Sequence, residues 1–349
     1  MKSSINYESA GVNISAGENW VEAIKELSKK YSASNSAHGG IGGFSGLYHI
    51  GGGQYLAACS DGVGTKVEIA REFARPGFYR GLGQDLVAMN VNDLITCGAT
   101  PLFFLDYMAC GKLSVPLFSE IMDGILAACA ESCAVLLGGE TAEMPGVYSE
   151  TGFDLAGFSV GLVKEGNIIN GTKIEKGDKL IGIPSSGLHS NGFSLVRKAL
   201  LSKDGLSLSL DSHINEYNAP LAAALLTPTK LYVRQTLSVL EKYEVRGMAH
   251  ITGGGLEANC MRIVPEGLSI KVDFDSWKRE YIFDLIASAG VDEGEMRKVF
   301  NLGIGFVMIA SETEAPKIIK HLESLGEQPR IIGIVEDAPL SVPHIKNEM

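Results

Sequence analysis

Three short stretches gather residue types that handle phosphate and metal. Ser60-Asp61-Gly62-Val63-Gly64-Thr65-Lys66 follows the apolar run Tyr55 to Cys59. It sets a carboxylate, two permissive glycines, a hydroxyl and an ammonium at what reads as a strand end. There Asp61 suits Mg2+, and Lys66 with backbone N–H groups suits phosphate oxygens; alternatively Asp61 and Gly62 simply shape a turn. Asn90 and Asp93 stand three apart on an apolar segment, so they share one helical face. A carboxylate there needs a partner or a metal, or else it caps a nearby turn. Gly138-Gly139-Glu140-Thr141-Ala142-Glu143-Met144-Pro145-Gly146 follows Ala134 to Leu137 and reads as a sharp turn bearing two acids. From Gly81 to Val163 there are ten acidic residues and one basic residue, Lys112. Such acids either sit in water or have a cation to neutralise them.

Three more glycine-rich stretches punctuate the chain. Gly39 to Gly46 resembles a phosphate loop but fits neither GxxxxGK[ST] nor GxGxxG, so a plain loop stays open. Pro184 to Gly192 carries His189 and Asn191 ahead of a helix, and His250 to Leu256 offers an anion nest or a simple helix start. The sequence has no GxSxG elbow, no HExxH and no CxxC pair. Serine hydrolysis and zinc chemistry are therefore disfavoured. Phosphoryl transfer, where the protein mainly positions groups and Mg2+ neutralises charge, fits best.

The elements that must position these groups follow from periodicity. Residues 15–31 read as a helix capped by Ser15 with Glu18, turning Trp20, Ile24, Leu27 and Tyr31 to the core. Gly83 to Cys97 reads as a buried helix, Leu102 to Leu105 as a strand ending at Asp106, and Pro116 to Cys133 as an amphipathic helix. Phe153 to Val163 and Lys179 to Ile183 read as strands on either side of a glycine-marked linker. A chain of 349 residues accommodates two such domains. The net charge of −11 disfavours nonspecific nucleic-acid binding and anionic membranes, while a metal can still bridge acid to nucleotide. Six cysteines in mostly apolar contexts, with neither a signal-like N-terminus nor a membrane-length apolar run, suit a reduced cytoplasmic protein.

These blocks, taken in order, resemble the phosphoribosylformylglycinamidine cyclo-ligase (aminoimidazole ribonucleotide synthetase) family of the ATP-binding AIR synthetase superfamily. The resemblance runs through Gly42-Gly43-Phe44, Asp61 to Lys66, Asp85 to Leu94, Gly98 to Tyr107, Gly138 to Gly146, Ser185 to Lys198 and Thr252 to Gly255. It weakens over the first dozen residues and beyond Pro265.

It implies a two-domain α/β (α+β) subunit. Residues 1–165 would form an ATP/Mg-binding and dimerisation domain, 166–178 a linker, and 179–349 an α/β domain completing the substrate cleft. It further implies a homodimer whose N-terminal mixed sheets form an intersubunit barrel. The family uses ATP to close the imidazole ring of formylglycinamidine ribonucleotide, through a phosphorylated formyl oxygen, releasing ADP and phosphate.

Carried onto this chain, the resemblance makes Asp61, Asp93 and Glu140 the Mg2+ ligands. Asp85, Asp106, Glu143 and Asp154 stand as alternatives. Gly42, Gly43, Gly62, Gly64, Thr65, Lys66, Gly138, Gly139 and Thr141 would line the nucleotide, with His189 and Asn191 beside the reacting substrate. Thiamine monophosphate kinase is the nearest competing enzyme, and a nucleotide-binding protein without turnover is the alternative from another class.

Overall fold

In the computed structural model, residues 5–31, 37–38 and 42–339 are described. Among the described residues, thirteen strands form two main sheets and one small hairpin. The first sheet comprises β1 (Ala37–His38), β2 (Gly46–Gly51), β3 (Gln54–Gly62), β4 (Thr100–Cys110), β5 (Val135–Glu143) and β6 (Phe153–Lys164), in the order β1-β2-β3-β6-β4-β5. The second comprises β7 (Lys179–Pro184), β10 (Gly247–His250), β11 (Leu268–Val272), β12 (Ile304–Ala310) and β13 (Arg330–Asp337), in the order β10-β12-β7-β13-β11. The hairpin pairs β8 (His213–Ile214) with β9 (Ala219–Pro220). All ladders are antiparallel except β4 with β5. A parallel pair needs a crossover, and the helix between those two strands supplies it.

Eleven helices accompany the strands among the described residues: α1 (Ile14–Tyr31), α2 (Lys66–Phe73), α3 (Arg80–Leu94), α4 (Val115–Glu131), α5 (Phe193–Val196), α6 (Leu221–Leu225), α7 (Val233–Leu240), α8 (Gly255–Met261), α9 (Tyr281–Ser288), α10 (Glu293–Val299) and α11 (Ala315–Ser324). The helix α3 is sandwiched between the first sheet and its neighbours, so it is apolar nearly all round, and Leu86, Val87, Val91 and Leu94 are wholly buried. One hydrophobic cluster runs from α2, α3 and α4 into β7, α5 and α9, joining the two halves. No helix among the described residues is long and apolar enough to cross a membrane.

Two local expectations change. Trp20, Leu27 and Tyr31 are 61%, 47% and 80% exposed, so that side of α1 does not face the core. Helical periodicity registers an apolar stripe, not the presence of an element to cover it. Nor does Ser15 cap α1. Asn13 does so, its Oδ1 accepting from the Ala16 N–H at 3.0 Å.

The second change concerns Gly138 and Gly139, which form no turn. They lie within β5, and the chain turns later, around Pro145 to Tyr148. Gly139 answers a different need: a Cβ there would lie 2.3 Å from Asp106 Oδ1. Asp106 itself lies within β4 rather than at a strand end.

Candidate nucleotide site

Asp61 and Asp93 are brought together by α3 crossing the end of β3. Asn90 makes the junction. Its Oδ1 accepts the Asp61 N–H at 2.9 Å, and its Nδ2 donates to the Asp61 carbonyl at 3.2 Å and to Leu86 O at 2.8 Å. Gly157 on β6, opposite Asp61, lets this helix come close, since a Cβ there would lie 2.7 Å from Asn90 Nδ2. Asp61 Oδ1 accepts from Gly62 N–H at 2.7 Å. Burial, then the facing Asp93 charge, pushes the Asp61 carboxyl up to about 6. Both forces favour losing that charge, and a cation would oppose both.

Around Asp93 stand groups from the second half of the chain. His250 Nδ1 lies 2.7 Å from Asp93 Oδ1. Arg262 lies near enough for Asp93 to favour its charged form, although burial lowers its pKa overall. Its guanidinium sits 5.0 Å over the Phe44 ring. The loop Thr252 to Gly255 follows β10. Asn191 Oδ1 accepts from Gly253 N–H at 3.1 Å, and Asn259 Nδ2 donates to Thr252 O, Gly253 O and Gly255 O. The Gly255 N–H is also spent, on Thr252 O. The nest is therefore largely self-satisfied.

Other predicted site residues lie elsewhere. Lys66 is wholly buried, and its Nζ donates to Asp85 Oδ1 at 2.9 Å, His189 O at 3.0 Å and Thr227 O at 2.7 Å. An ammonium has three N–H donors, so none is left for a phosphate, and the phosphate-contact expectation is corrected. Asp85, also wholly buried, accepts at the same Oδ1 from Thr229 N–H at 2.7 Å and Thr229 Oγ1 at 2.6 Å. Lys66 also stands 2.8 Å from Asp85 Oδ2, off the line of a hydrogen bond.

Nor does one chain bring Glu140 to Asp61. Asp61, Gly157, Asp106 and Gly139 align across β3, β6, β4 and β5, whereas Glu140 aligns with Tyr107. Adjacent positions point to opposite faces. Glu140 therefore lies on the face away from Asp61 and about 14 Å across the sheet, at three strand spacings.

Of the alternative acids, Asp106 is buried, and burial raises its pKa. Glu143 Oε1 accepts from Leu113 N–H, and Asp154 Oδ1 from Leu155 N–H. His189 is only 1% exposed, and Ser186 N–H reaches its Nε2 at 3.2 Å. Burial, followed by the charges of His250, Lys66 and Lys230, holds its pKa well below the usual value. Gly62, Gly64 and Thr65 flank Asp61 in sequence, and Thr65 Oγ1 contacts Ser194 Oγ at 3.2 Å. Gly42 and Gly43 precede the buried Phe44 anchor, while Gly138 and Thr141 lie on β5. Gly39 to Ile41 fall outside the described residues.

The residues that sequence reasoning missed are His250 and Arg262. His250 opened a glycine cluster that had been singled out for its backbone alone. Arg262 carried no signal, because its role depends on a long-range approach to Asp93.

Among the described residues, no three His, Cys, Asp or Glu side chains stand close enough to hold a metal by themselves. Two carboxylates do fit Mg2+, which retains water and phosphate oxygens for its remaining positions.

Comparison with known proteins identifies the family and the fold. Residues 42–163 match the model of the AIR synthase related protein N-terminal domain, and 175–346 that of the C-terminal domain. A solved thiamine-monophosphate kinase from Stenotrophomonas maltophilia is similar with a TM-score of 0.62 and 19% identity, over 90% of this chain and 93% of that one. T. maritima PurL complexed with ADP is similar with a TM-score of 0.59 and 14% identity, over 89% of this chain and 45% of that one. Those likenesses establish the AIR-synthetase-like fold and no more. Sequence is more discriminating: the phosphoribosylformylglycinamidine cyclo-ligase of Myxococcus xanthus is 45% identical over 95% of both chains. With both halves matched in order and the whole length shared at that identity, the chain belongs to the phosphoribosylformylglycinamidine cyclo-ligase family.

Proposed function

We infer that this chain closes the imidazole ring of formylglycinamidine ribonucleotide to give 5-aminoimidazole ribonucleotide, using ATP and releasing ADP and phosphate. This is a step of de novo purine biosynthesis. The observation that carries the reading is the 45% identity to a cyclo-ligase across 95% of both chains. The formyl oxygen receives the γ-phosphoryl group, the amidine nitrogen attacks the same carbon, and phosphate leaves.

Asp61 and Asp93 would hold the Mg2+ that accompanies the nucleotide. When bound, that ion would neutralise charge on the phosphates and on the two acids. Asn90 fixes Asp61 against α3. Gly64 and Thr65 would lie beside the nucleotide. Arg262 offers a cation near Asp93. His189, buried and bonded to Ser186 N–H, is closed to direct proton exchange with substrate and does not stand beside it as expected.

The unit we propose is a cytoplasmic homodimer. Tyr107 and Phe158 are 42% and 40% exposed on the sheet face that carries Glu140, and β5 is an open edge. A second copy covering that face would give Glu140 its route to a nucleotide site. We assign residues 1–165 to the nucleotide and dimer domain, 166–178 to the linker, and 179–349 to the domain that completes the cleft.

The test follows phosphate and aminoimidazole product together, with Mg–ATP and formylglycinamidine ribonucleotide. Equal yields are expected; phosphate without the imidazole would overturn ring closure and favour a kinase. Mixing Asp61→Asn and Glu140→Gln subunits tests the shared site. Activity should return in the mixture, and its failure to do so would place Glu140 outside catalysis in trans.

A further inference from the structure

We propose that His250 is a positioning residue that fixes the Asp93 carboxylate for its cation. This rests on the assignment of Asp93 made above. His250 is wholly buried at the end of β10, where its backbone is paired with Phe306 of β12. Its Nδ1 lies 2.7 Å from Asp93 Oδ1, and the Asp93 side chain keeps 18% of its surface open. A carboxylate oxygen can only accept, so Nδ1 carries a hydrogen and donates it to Asp93. The Nε2 of the same ring is buried and has no hydrogen-bond partner among the described residues.

The neighbouring ring has the complementary arrangement. His189 Nε2 accepts from Ser186 N–H, which places the hydrogen on Nδ1, and that Nδ1 is likewise buried and unpartnered. The two ring centroids are 6.4 Å apart and inclined at 39°. The single contact of each ring thus fixes the role of one nitrogen, and in His250 that nitrogen donates to Asp93.

This bond also joins the two halves of the molecule. Asp93 belongs to α3, under the first sheet, while His250 belongs to the second. Three residues beyond His250, Gly253 N–H is held by Asn191. His250 therefore registers the acid of one half against the glycine loop of the other. It occupies one Asp93 oxygen and leaves the other for a cation, as partners of metal-binding carboxylates do.

The experiment compares His250→Leu with His250→Asn. The two replacements are of similar size, but the Asn amide reproduces the Nδ1–H donor. Mn2+ is the probe, its binding followed by electron paramagnetic resonance with ADP present, alongside thermal melting of each variant. His250→Leu should weaken Mn2+ binding about 10- to 100-fold, while His250→Asn stays close to the parent although both melt alike. Equal weakening in the two variants would reduce His250 to packing and overturn the proposal, as would an unchanged His250→Leu. Should the Leu variant fail to fold, His250→Gln, whose amide sits at the Nε2 position, takes its place. Asp93→Asn separates the two readings: Mn2+ binding unchanged there sinks the Asp93 assignment itself, whatever His250 does.

Discussion

One helix carries two acids with opposite fates. Asp85 and Asp93 lie eight residues apart on α3, about 12 Å along its axis. Asp85 is wholly buried and surrounded by donors: the Lys66 ammonium, the Thr229 N–H and the Thr229 hydroxyl. Asp93 keeps an open edge and faces Asp61, whose own carboxyl its charge helps to push up. The contrast shows that burial alone does not mark a functional carboxylate. A full set of donors makes an acid part of the framework, while an acid facing another acid retains an affinity for an added cation. Three acids in the stretch that looks bare of cations are in fact partnered from outside it, Asp85 by Lys66, Asp93 by His250 and Asp123 by Arg80, while Glu150 pairs with Lys112, the one basic residue within it.

The largest effect should come from breaking the framework acid. Lys66→Met leaves Asp85 charged and buried without its ammonium. Loss of one partner of such a pair costs about 3–5 kcal/mol, to be read from urea unfolding. Adding Asp85→Asn should recover part of that loss, because the amide oxygen still accepts from Thr229. A Lys66→Met protein as stable as the parent would mean that the pair does not hold the fold and would erase the contrast.

Removing Asp61, the acid proposed to hold the cation, should do the reverse. Asp61→Asn keeps the Gly62 contact, since the amide oxygen accepts just as the carboxylate did. Turnover should fall about 10²–10³-fold, the scale for losing one preorganised electrostatic group. The nucleotide-free protein should melt no lower than the parent at pH 7.5, and above it if repulsion from Asp93 dominates.

The two halves of this contrast were unequally legible in the sequence. Asp61 and Asp93 were placed together by motif, and the strand and helix positions around them followed from periodicity. Lys66 was misassigned because its neighbours in sequence are phosphate-loop residues. Its partners, Asp85, His189 and Thr227, lie 19, 123 and 161 residues away. That Glu140 stands apart from Asp61 within one chain was hidden for another reason. Strand alternation says that neighbours face opposite ways, but only the register with β4 says which way. That register shifts between Phe104 and Leu105, where Leu136 and Gly138 are the successive partners and Leu137 is passed over. No count along the sequence would have found this bulge.

A pH series sharpens the comparison at smaller scale. The folded-state pKa of Asp61, about 6, lies above the ordinary carboxylate value. Its ionised form therefore costs the nucleotide-free fold stability above pH 6, and that cost is relieved as pH falls through this value. Cation binding requires the ionised form, so affinity for Mn2+ with ADP should fall about tenfold from pH 7.5 to pH 5.0. In Asp61→Asn the part of this dependence centred near pH 6 should vanish. A slope that persists unchanged in the variant would assign it to another group.

The smallest effect belongs to a third acid, and it tests what the first two have in common. Asp123 of α4 meets Arg80 at the start of α3, with side chains 66% and 52% exposed. Here the ion pair forms in water, where screening and side-chain entropy offset most of the attraction. Arg80→Gln or Asp123→Asn should change unfolding stability by no more than about 0.5 kcal/mol, with turnover unaltered. Comparable losses at Arg80 and Lys66 would mean that ion pairing, not the burial of an unsatisfied charge, sets the cost. A near-zero effect at Arg80 beside a large one at Lys66 assigns that cost to burial, the same force that raises the Asp61 carboxyl beside Asp93.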